Sequence, residues 1–393
     1  MTDSKTYDVV VLGATGFTAR LATAHLAANL PADGVRWALA GRSQERLEGV
    51  RADLVAINPS LVDLPILIVD ITSASELTEL ARSTKVLVNA TGPYLMHGEP
   101  VVRACATEGT DYVDLCGEPE FVDLMYLAHH ETAARTGARL VHAAGFDSVP
   151  HDLGALHAVS QIDASGPVTL RGIVRATGGV SGGTAASLLN AFSRLRQMRD
   201  AATRRAAAED AITTRTSRQS TGRPHRDPVT GLWLLPMPAI DQAIVARSGA
   251  SLAQFGSNFT YSHFAGLRHL PVLIGGLAGV GVGLGLAQIG PVRRLVSARL
   301  PQGAGPDDAT GAAASFTVDF IAEHAGGRTH TQVAGPDPYD LSGIALIETA
   351  LSLAFDDNPD VAGQVTTAQA CGAALTRRLA NHGMTMSVVS TSS

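Results

Sequence analysis

The chain has 393 residues, of which 45% are hydrophobic and 17% are charged. This composition excludes a disordered protein, a disulfide-stabilised miniprotein and a simple coiled coil, and the length is enough for two packed domains. The net charge of −6 and the pI near 6.1 also exclude a general nucleic-acid binder, which needs a basic excess. We therefore expect a globular protein whose partners do not include nucleic acid.

The spacing of cysteine and histidine indicates neither a disulfide framework nor a metal site. The three cysteines, Cys105, Cys116 and Cys371, are far apart, and the sequence has no C-x-x-C pair and no histidine pair at metal-ligand intervals. The first residues contain no apolar run of the kind found in secretory signals. We expect a chain that starts in the cytoplasm, a reducing compartment, and that binds no metal.

Short apolar runs alternate with helix-like segments along the first 145 residues. Strands are predicted at 7–12, 35–40, 65–70, 86–90, 112–114 and 139–142. Helices are predicted at 18–29, 44–58, 73–83, 99–108 and 122–136. This alternation is typical of a doubly wound parallel sheet, so the predicted fold class is α/β, with a Rossmann domain at 1–145 and a second, mixed α/β domain.

The turn after the first strand carries the sharpest motif, Gly13-Ala14-Thr15-Gly16-Phe17-Thr18-Ala19. Gly13 permits a tight turn, and Gly16 lets the backbone approach a pyrophosphate that faces the N–H groups at the helix start. The spacing G-x-x-G-x-x-A departs from G-x-G-x-x-G, and a flavodoxin-like or nucleotide-free turn is the alternative. The motif predicts dinucleotide binding.

The end of the second strand indicates which dinucleotide is bound. An NAD-preferring site places an acidic residue there, whereas this chain has Arg42 and Ser43, and its first acidic residue, Glu45, comes too late. Arginine can pair with a 2′-phosphate, so the sequence favours NADP(H). Asp70, after the third strand, either contacts the adenine or caps the helix that starts at Thr72.

Later strand ends supply candidates for the nicotinamide side of the site. The small residues after the fourth strand are expected to lie near the nicotinamide. Tyr94 is either a proton donor or a wall residue, and Asp147 either lines the cleft or caps a helix that begins at His151. Tyr94 and Asp147 are the predicted catalytic residues, and the predicted cofactor-binding residues are Gly13, Ala14, Thr15, Gly16, Phe17, Arg42, Ser43, Asp70, Ala90, Thr91 and Gly92.

Two segments of unusual composition lie in the substrate domain predicted at 146–335. Segment 194–226 has nine arginines against three acidic residues, and is either a solvated insertion or a surface for anionic lipid headgroups or an acidic carrier protein. Segment 270–291 has no charged residue and glycines at G-x-x-x-G spacing. It is either a membrane-dipping element or a buried apolar wall for an acyl chain.

The last part of the chain has strand and helix patterns. A hairpin is predicted at 314–323 and 330–334, and helices are predicted at 341–355 and 366–382. The helices belong to a segment, 336–393, that we expect to return to the first domain. Residues 385–393 are expected to be frayed.

Six segments of the sequence carry a family resemblance: Gly13-Ala14-Thr15-Gly16-Phe17-Thr18, Ala40-Gly41-Arg42, Gly92-Pro93-Tyr94, Tyr112-Val113-Asp114-Leu115-Cys116-Gly117-Glu118, Gly145-Phe146-Asp147-Ser148-Val149-Pro150-His151-Asp152-Leu153-Gly154 and Ser181-Gly182-Gly183-Thr184. Together they resemble the saccharopine dehydrogenase-like oxidoreductases, and among these the actinobacterial trans-acting enoyl reductase branch. The resemblance continues into the C-terminal segments Gly335-Pro336-Asp337-Pro338-Tyr339 and Glu348-Thr349-Ala350-Leu351. It therefore covers nearly the whole chain.

The resemblance implies a Rossmann domain, an inserted mixed α/β domain and an NADPH-dependent reductase that acts on the carbon–carbon double bond of an acyl or polyketide chain in lipid assembly. The expected partners are that chain on a synthase or carrier protein, a membrane surface through 270–291, and a second copy in a homodimer. The expected location is cytoplasmic, peripheral at the inner face of the plasma membrane. A dehydrogenase of an amino-acid conjugate and a non-catalytic, membrane-associated NADP-binding scaffold are the alternatives.

Overall fold

The computed structural model of the protein describes residues 5–31, 34–177, 194–209, 215–237, 239–272, 274–275 and 314–392. These residues form two compact units. Unit 1 comprises Met1–Cys116, Glu120–Val149 and Tyr339–His382, and unit 2 comprises Gly117–Pro119, Pro150–Pro338 and Gly383–Ser393. The chain therefore leaves unit 1 after Val149 and re-enters it at Tyr339.

Unit 1 is built on a parallel sheet of seven strands. They are β1 (Tyr7–Leu12), β2 (Trp37–Gly41), β3 (Ile66–Ile68), β4 (Thr84–Asn89), β5 (Asp111–Asp114), β6 (Arg139–Val141) and β14 (Gly363–Val365). Their order is β14-β6-β5-β4-β1-β2-β3. The order reverses between β1 and β4, the switch point at which open α/β sheets bind ligands. The predicted Rossmann fold class is confirmed.

The composition of the strands explains why the sheet is an inner layer. Val9, Val10, Val11 and Leu12 of β1 are fully buried. A strand that alternated apolar and polar residues would be expected to leave one face in water, whereas a continuous apolar run needs cover on both faces. The helices of this unit are α1 (Phe17–Ala28), α2 (Gln44–Ile57), α3 (Ala74–Ser83), α4 (Tyr94–His97), α5 (Glu99–Glu108), α6 (Pro119–Thr136), α10 (Pro338–Phe355) and α11 (Thr367–Ala380).

Unit 2 contains a mixed sheet of eight strands. They are β7 (Val168–Ala176), β8 (Thr216–Gln219), β9 (His225–Arg226), β10 (Trp233–Pro236), β11 (Asn258–Leu267), β12 (Phe316–His324), β13 (Gly327–Gly335) and β15 (Thr385–Ser392). Their order is β15-β13-β12-β7-β11-β10-β9, and β8 pairs with β11. The helices described in this unit are α7 (Val149–Ser160), α8 (Leu195–Ala208) and α9 (Ile240–Ser251).

The predictions for the tail and for the helix after β6 are wrong, and several other predicted ends differ from the observed ones by a few residues. The tail is not frayed, because β15 pairs antiparallel with β13 from Thr385 opposite Ala334 to Ser392 opposite Arg328. The edge of β13 carries main-chain donors and acceptors that a further strand can satisfy. Helix α7 begins at Val149 rather than at His151, and the Val149 N–H donates to the Gly145 carbonyl at 2.9 Å.

Most of segment 270–291 lies outside the described residues, which include only 270–272 and 274–275 of it. Leu270, Val272 and Ile274 expose 40%, 53% and 59% of their surface. Among the helices that the structure describes, none combines the length and the apolar character needed to cross a bilayer.

Candidate functional site

The tight turn after β1 depends on Gly13. Its φ of +81° is in the left-handed region, and its N–H donates to the Ala40 carbonyl at 2.9 Å. A Cβ at this position would lie 2.7 Å from Thr91 Cγ2 and 3.0 Å from the Ala90 carbonyl carbon. The turn therefore needs glycine for its backbone conformation and for the close approach of the segment that follows β4.

Gly16 precedes the first residue of α1 and has an ordinary φ of −72°. An added Cβ would meet only the Gly13 oxygen at 3.4 Å and the Ala90 oxygen at 3.9 Å. No side chain caps α1, and its first turn has no acidic residue. The first N–H groups of α1 are therefore not capped by a side chain and have no acidic residue in the same turn.

The other members of the predicted glycine motif lie in the same turn. Ala14 is buried, Thr15 is half-buried, and the ring of Phe17 packs edge-on against Tyr339 with 5.9 Å between the ring centroids. The structure thus brings the predicted residues of the β1 turn and of the β4 turn together at the switch point.

Arg42 and Asp70 lie near each other beyond the ends of β2 and β3. Arg42 is exposed, and within the described part of the chain its guanidinium forms no hydrogen bond or salt bridge. The Asp70 carboxylate accepts from the Thr72 N–H at 2.9 Å and from the Thr72 hydroxyl at 2.8 Å. These hydrogen bonds, with Arg42 as a weaker cause, lower the pKa of Asp70.

Two serines take the helix-capping roles near these residues. Ser43 Oγ accepts from the Arg46 N–H at 3.4 Å and so caps α2. Ser73, not Asp70, caps α3 by accepting from the Glu76 N–H. The predicted alternative, in which Asp70 caps a helix from Thr72, is wrong because the Asp70 oxygen closes the turn that precedes the helix.

The Tyr94 hydroxyl is engaged by main-chain groups. It donates to the Asn89 carbonyl at 3.0 Å and accepts from the Leu115 N–H at 3.2 Å, and the side chain is 7% exposed. In this arrangement the hydroxyl joins the ends of β4 and β5. Proton donation by Tyr94 stays a prediction that requires the hydroxyl to turn away from Asn89.

Asp147 lies in the loop after β6, at the same edge of the sheet as the Gly13 turn. Its side chain is exposed, and within the described part of the chain it forms no hydrogen bond or ion pair. Protein atoms nevertheless crowd the carboxyl group, and this partial loss of solvation raises its pKa. The structure therefore presents a solvent-accessible carboxyl group that holds a proton more tightly than an ordinary aspartate.

A buried polar network beneath this edge was missed by the sequence analysis. Asn89 Nδ2 donates to the Tyr112 hydroxyl at 3.0 Å, and that hydroxyl donates to Asp114 Oδ2 at 2.9 Å. His142 Nδ1 lies 2.7 Å from the same carboxylate oxygen, and the Ala143 N–H donates to Asp114 Oδ1 at 2.9 Å. Burial, followed by the charge of Asp114, raises the pKa of Tyr112 well above its usual value.

One sequence signal could have found this network. Asn89 and Asp114 are the last residues of β4 and β5, and His142 directly follows β6. Polar residues that end successive parallel strands meet at one edge of the sheet. The network holds the loops that follow these strands in fixed positions.

Comparisons with known proteins agree with this geometry. A family model for the saccharopine dehydrogenase NADP-binding domain matches residues 9–141, from within β1 to the end of β6. A protein of Mycobacterium tuberculosis named trans-acting enoyl reductase is 32% identical, over 97% of this chain and 97% of its own length. A mouse saccharopine dehydrogenase-like oxidoreductase is 39% identical over 42% of this chain and 40% of its own. The chain belongs to the trans-acting enoyl reductase family, and its residues 9–141 match the saccharopine dehydrogenase NADP-binding domain.

A solved structure supports the same fold for this family member. Apo saccharopine dehydrogenase (L-Glu forming) from Saccharomyces cerevisiae aligns with a TM-score of 0.57, covering 98% of this chain and 100% of that one. The identity is 11%, so the likeness concerns the fold. The protein is an NADP-dependent oxidoreductase, and the expected cofactor class is confirmed.

The residues of unit 1 fit NADP(H). Gly13 and Gly16 leave the space in front of α1 open for a pyrophosphate, which the N–H groups of the first turn can bind. Arg42 is the exposed cation at the end of β2, where a 2′-phosphate is bound in folds of this class. The individual contacts of Ala14, Thr15, Phe17, Ser43, Asp70, Ala90, Thr91 and Gly92 with the cofactor stay predictions.

Proposed function

We propose that this oxidoreductase reduces a carbon–carbon double bond in an acyl or polyketide chain during lipid assembly. The observation that carries the proposal is the similarity to a named trans-acting enoyl reductase over 97% of both chains. A similarity of this extent includes unit 2 as well as the NADP-binding domain. The proposal therefore concerns the substrate as well as the cofactor.

The reaction adds a hydride to one carbon of the double bond and a proton to the other. When bound, NADPH supplies the hydride. The chain's own residues bind the dinucleotide through the Gly13 and Gly16 turn and the Arg42 guanidinium, and they hold the strand ends rigid through the Asn89 to His142 network. A group at the same edge of the sheet must deliver the proton.

Asp147 is the best-supported proton donor. Its carboxyl group is exposed, has no hydrogen-bond partner within the described part of the chain, and has a raised pKa. The Tyr94 proton, by contrast, is directed at the Asn89 carbonyl. A general acid must be accessible to substrate, and Asp147 satisfies this condition better than Tyr94, while partial loss of solvation raises the pKa of its carboxyl group.

Asp147→Asn is expected to lower kcat by about 10²- to 10⁴-fold, the usual contribution of a general acid, without changing NADPH affinity. In the wild type, kcat should fall as pH rises through the raised pKa, because only the protonated carboxyl group donates. Asp63→Asn, at another exposed aspartate, is the matched control. A variant with unchanged kcat, or a larger loss in Tyr94→Phe, would assign the proton to another group.

The decisive experiment follows NADPH oxidation with an α,β-unsaturated acyl thioester and, as the control, with its saturated counterpart. We expect turnover of the unsaturated thioester only. Turnover with an amino-acid conjugate in its place would establish the alternative dehydrogenase. NADPH binding without any turnover on either class would establish the scaffold.

The proposal includes a carrier protein or synthase that presents the acyl chain. Arg196, Arg199 and Arg204 are exposed on α8, and Arg205 is buried and pairs with Glu209 at 2.6 Å. Exposed arginines on one helix suit an acidic partner surface, and attraction of this kind weakens with salt. We expect a lower KM for a carrier-bound thioester than for a free one at low salt, and a smaller difference at high salt.

Membrane contact through segment 270–291, at the inner face of the plasma membrane, belongs to the same proposal. Leu270, Val272 and Ile274 are exposed, so replacing them with aspartate buries no charge in the protein. We expect the triple variant to lose flotation with anionic liposomes while keeping its melting temperature and NADPH affinity, because the charges are costly only in contact with hydrocarbon. Equal flotation of variant and wild type, or no flotation of the wild type, would remove membrane contact from the proposal.

A further inference from the structure

Unit 2 brings together two histidines and an aspartate that lie far apart in the sequence. His151 comes from α7, Asp241 from α9 and His263 from β11. Their exposures are 2%, 2% and 0%. One nitrogen or oxygen atom from each lies within 4.8 Å of the other two. The cluster is therefore a compact set of donor atoms in the interior of the unit.

The two oxygens of the Asp241 carboxylate contact different groups. Oδ1 accepts from the Gln242 N–H at 2.7 Å, whereas Oδ2 lies 3.0 Å from His263 Nε2 and 3.9 Å from His151 Nε2. Despite the short distance, His263 Nε2 makes no hydrogen bond within the described part of the chain. Two such atoms lie close together without hydrogen-bond geometry when both are directed at a third atom, such as a bound metal ion. The geometry of His263 Nε2 and Asp241 Oδ2 fits this case.

The far side of the His263 ring is held by a second contact. The Tyr261 hydroxyl lies 3.1 Å from His263 Nδ1, and Tyr261 is fully buried. Gly172 makes room for this hydroxyl, since a Cβ there would lie 2.2 Å from it. When Nδ1–H donates to the Tyr261 oxygen, the ring is fixed and the Nε2 lone pair is left for a metal ion, which is the usual arrangement for a metal-bound histidine.

We propose that His151, Asp241 and His263 bind a divalent transition-metal ion of the zinc class. Two neutral imidazoles and a carboxylate suit such ions. Metal–ligand bonds of about 2.0–2.1 Å put tetrahedral donor atoms about 3.3 Å apart, and the observed separations of 3.0 and 3.9 Å lie on either side of that value. A dication is also attracted to the buried Asp241 carboxylate.

The surrounding groups are consistent with this proposal. Burial, followed by the charge of His151, lowers the pKa of His263 well below its usual value. Besides burial, the charges of Asp241 and Asp152 raise the pKa of Tyr261, which indicates a negative environment. The competing arrangement without metal places a proton on His151, beside Asp241, and the experiment below separates the two.

A second cluster in unit 1 supplies a matched control. His25, Glu348 and His382 also place three donor atoms within 4.8 Å of one another. In this cluster, however, Arg378 Nη1 lies 3.0 Å from Glu348 Oε2. The other oxygen of this carboxylate, Oε1, lies 2.9 Å from His25 Nε2. A guanidinium next to the carboxylate already supplies the positive charge, so this cluster is not expected to take a metal ion.

The test measures zinc stoichiometry on the full chain after treatment with a chelator, by titrating Zn²⁺ against a chromophoric competitor. We expect one tightly bound ion per chain in the wild type and in His382→Gln, and none in Asp241→Asn or His263→Gln. Tyr261→Phe should keep the ion with about 10- to 100-fold weaker affinity, the usual effect of losing a group that orients a ligand. Neither substrate nor NADPH enters the measurement.

A second measurement covers the case in which a variant fails to fold. Co²⁺ added to the metal-free wild type should give the visible absorption of a tetrahedral site with one equivalent, and Zn²⁺ should abolish it. No bound Zn²⁺ in the wild type, or a stoichiometry that is unchanged in folded Asp241→Asn, overturns the proposal and leaves the protonated cluster. If His382→Gln loses the ion while Asp241→Asn and His263→Gln keep it, the metal lies in unit 1, and this result also overturns the proposal.

Discussion

Gly16→Val is expected to abolish NADPH binding while the fold is retained. The backbone of Gly16 has an ordinary φ, and a Cβ would meet only two oxygens, at 3.4 and 3.9 Å. The protein itself therefore tolerates a side chain there, whereas a pyrophosphate at the start of α1 does not. Losing two charge-assisted hydrogen bonds costs about 3–6 kcal/mol, or roughly a hundredfold or more in affinity.

Calorimetric titration with NADPH measures this loss, and a thermal melt checks the fold. Gly49→Val is the matched control, because Gly49 is exposed on α2 and an added Cβ meets nothing within 4 Å. It should keep wild-type affinity. If Gly16→Val binds NADPH normally, the pyrophosphate lies elsewhere and the assignment of the glycine motif is incorrect.

Arg42→Ala should remove most of the preference for NADPH over NADH. The exposed guanidinium forms no hydrogen bond or salt bridge within the described part of the chain, so it can pair with a 2′-phosphate without breaking one. A charge-assisted contact contributes about 1.5–3 kcal/mol. The affinity for NADPH should therefore fall by about 10- to 150-fold, with little change for NADH.

The affinities for NADPH and for NADH are both measured, and a neighbouring arginine is replaced as the control. Arg46→Ala removes an exposed arginine from the first turn of α2 and should leave the preference unchanged. Equal affinities for NADPH and NADH in the unaltered protein would contradict the assignment of Arg42. If Arg42→Ala still prefers NADPH over NADH, another cationic residue binds the 2′-phosphate.

Elements with a strong local pattern could be predicted from the sequence. Strand β1 was predicted at 7–12 and is observed at Tyr7–Leu12, and α5 was predicted at 99–108 and is observed at Glu99–Glu108. Apolar runs and helical periodicity are properties of neighbouring residues, so they need no information about the rest of the chain. Helix ends moved by a residue or more, as for α1 and α7, because main-chain hydrogen bonds decide them.

Strands β7 to β11, β14 and β15 are not predicted from the sequence, and the last two show one reason. Strand β14 has only three residues and joins the sheet because the Gly363 N–H donates to the Ala138 carbonyl at 2.8 Å. Strand β15 is largely exposed, yet it pairs with β13 along its length. In both cases a partner strand elsewhere in the chain provides the hydrogen bonds, and the local sequence gives no strong apolar signal.

The sequence alone predicted the Rossmann fold and the NADP(H) cofactor class, because the residues on which these predictions depend lie within a few residues of a strand end. Only the tertiary structure decided which polar groups meet. In the folded chain the Tyr94 hydroxyl contacts the main chain, and Asp147 is accessible to solvent. The side chains of His151, Asp241 and His263 lie together. Sequence spacing predicts contacts within one helix or strand, whereas side chains on different elements converge only after the sheets and helices have packed.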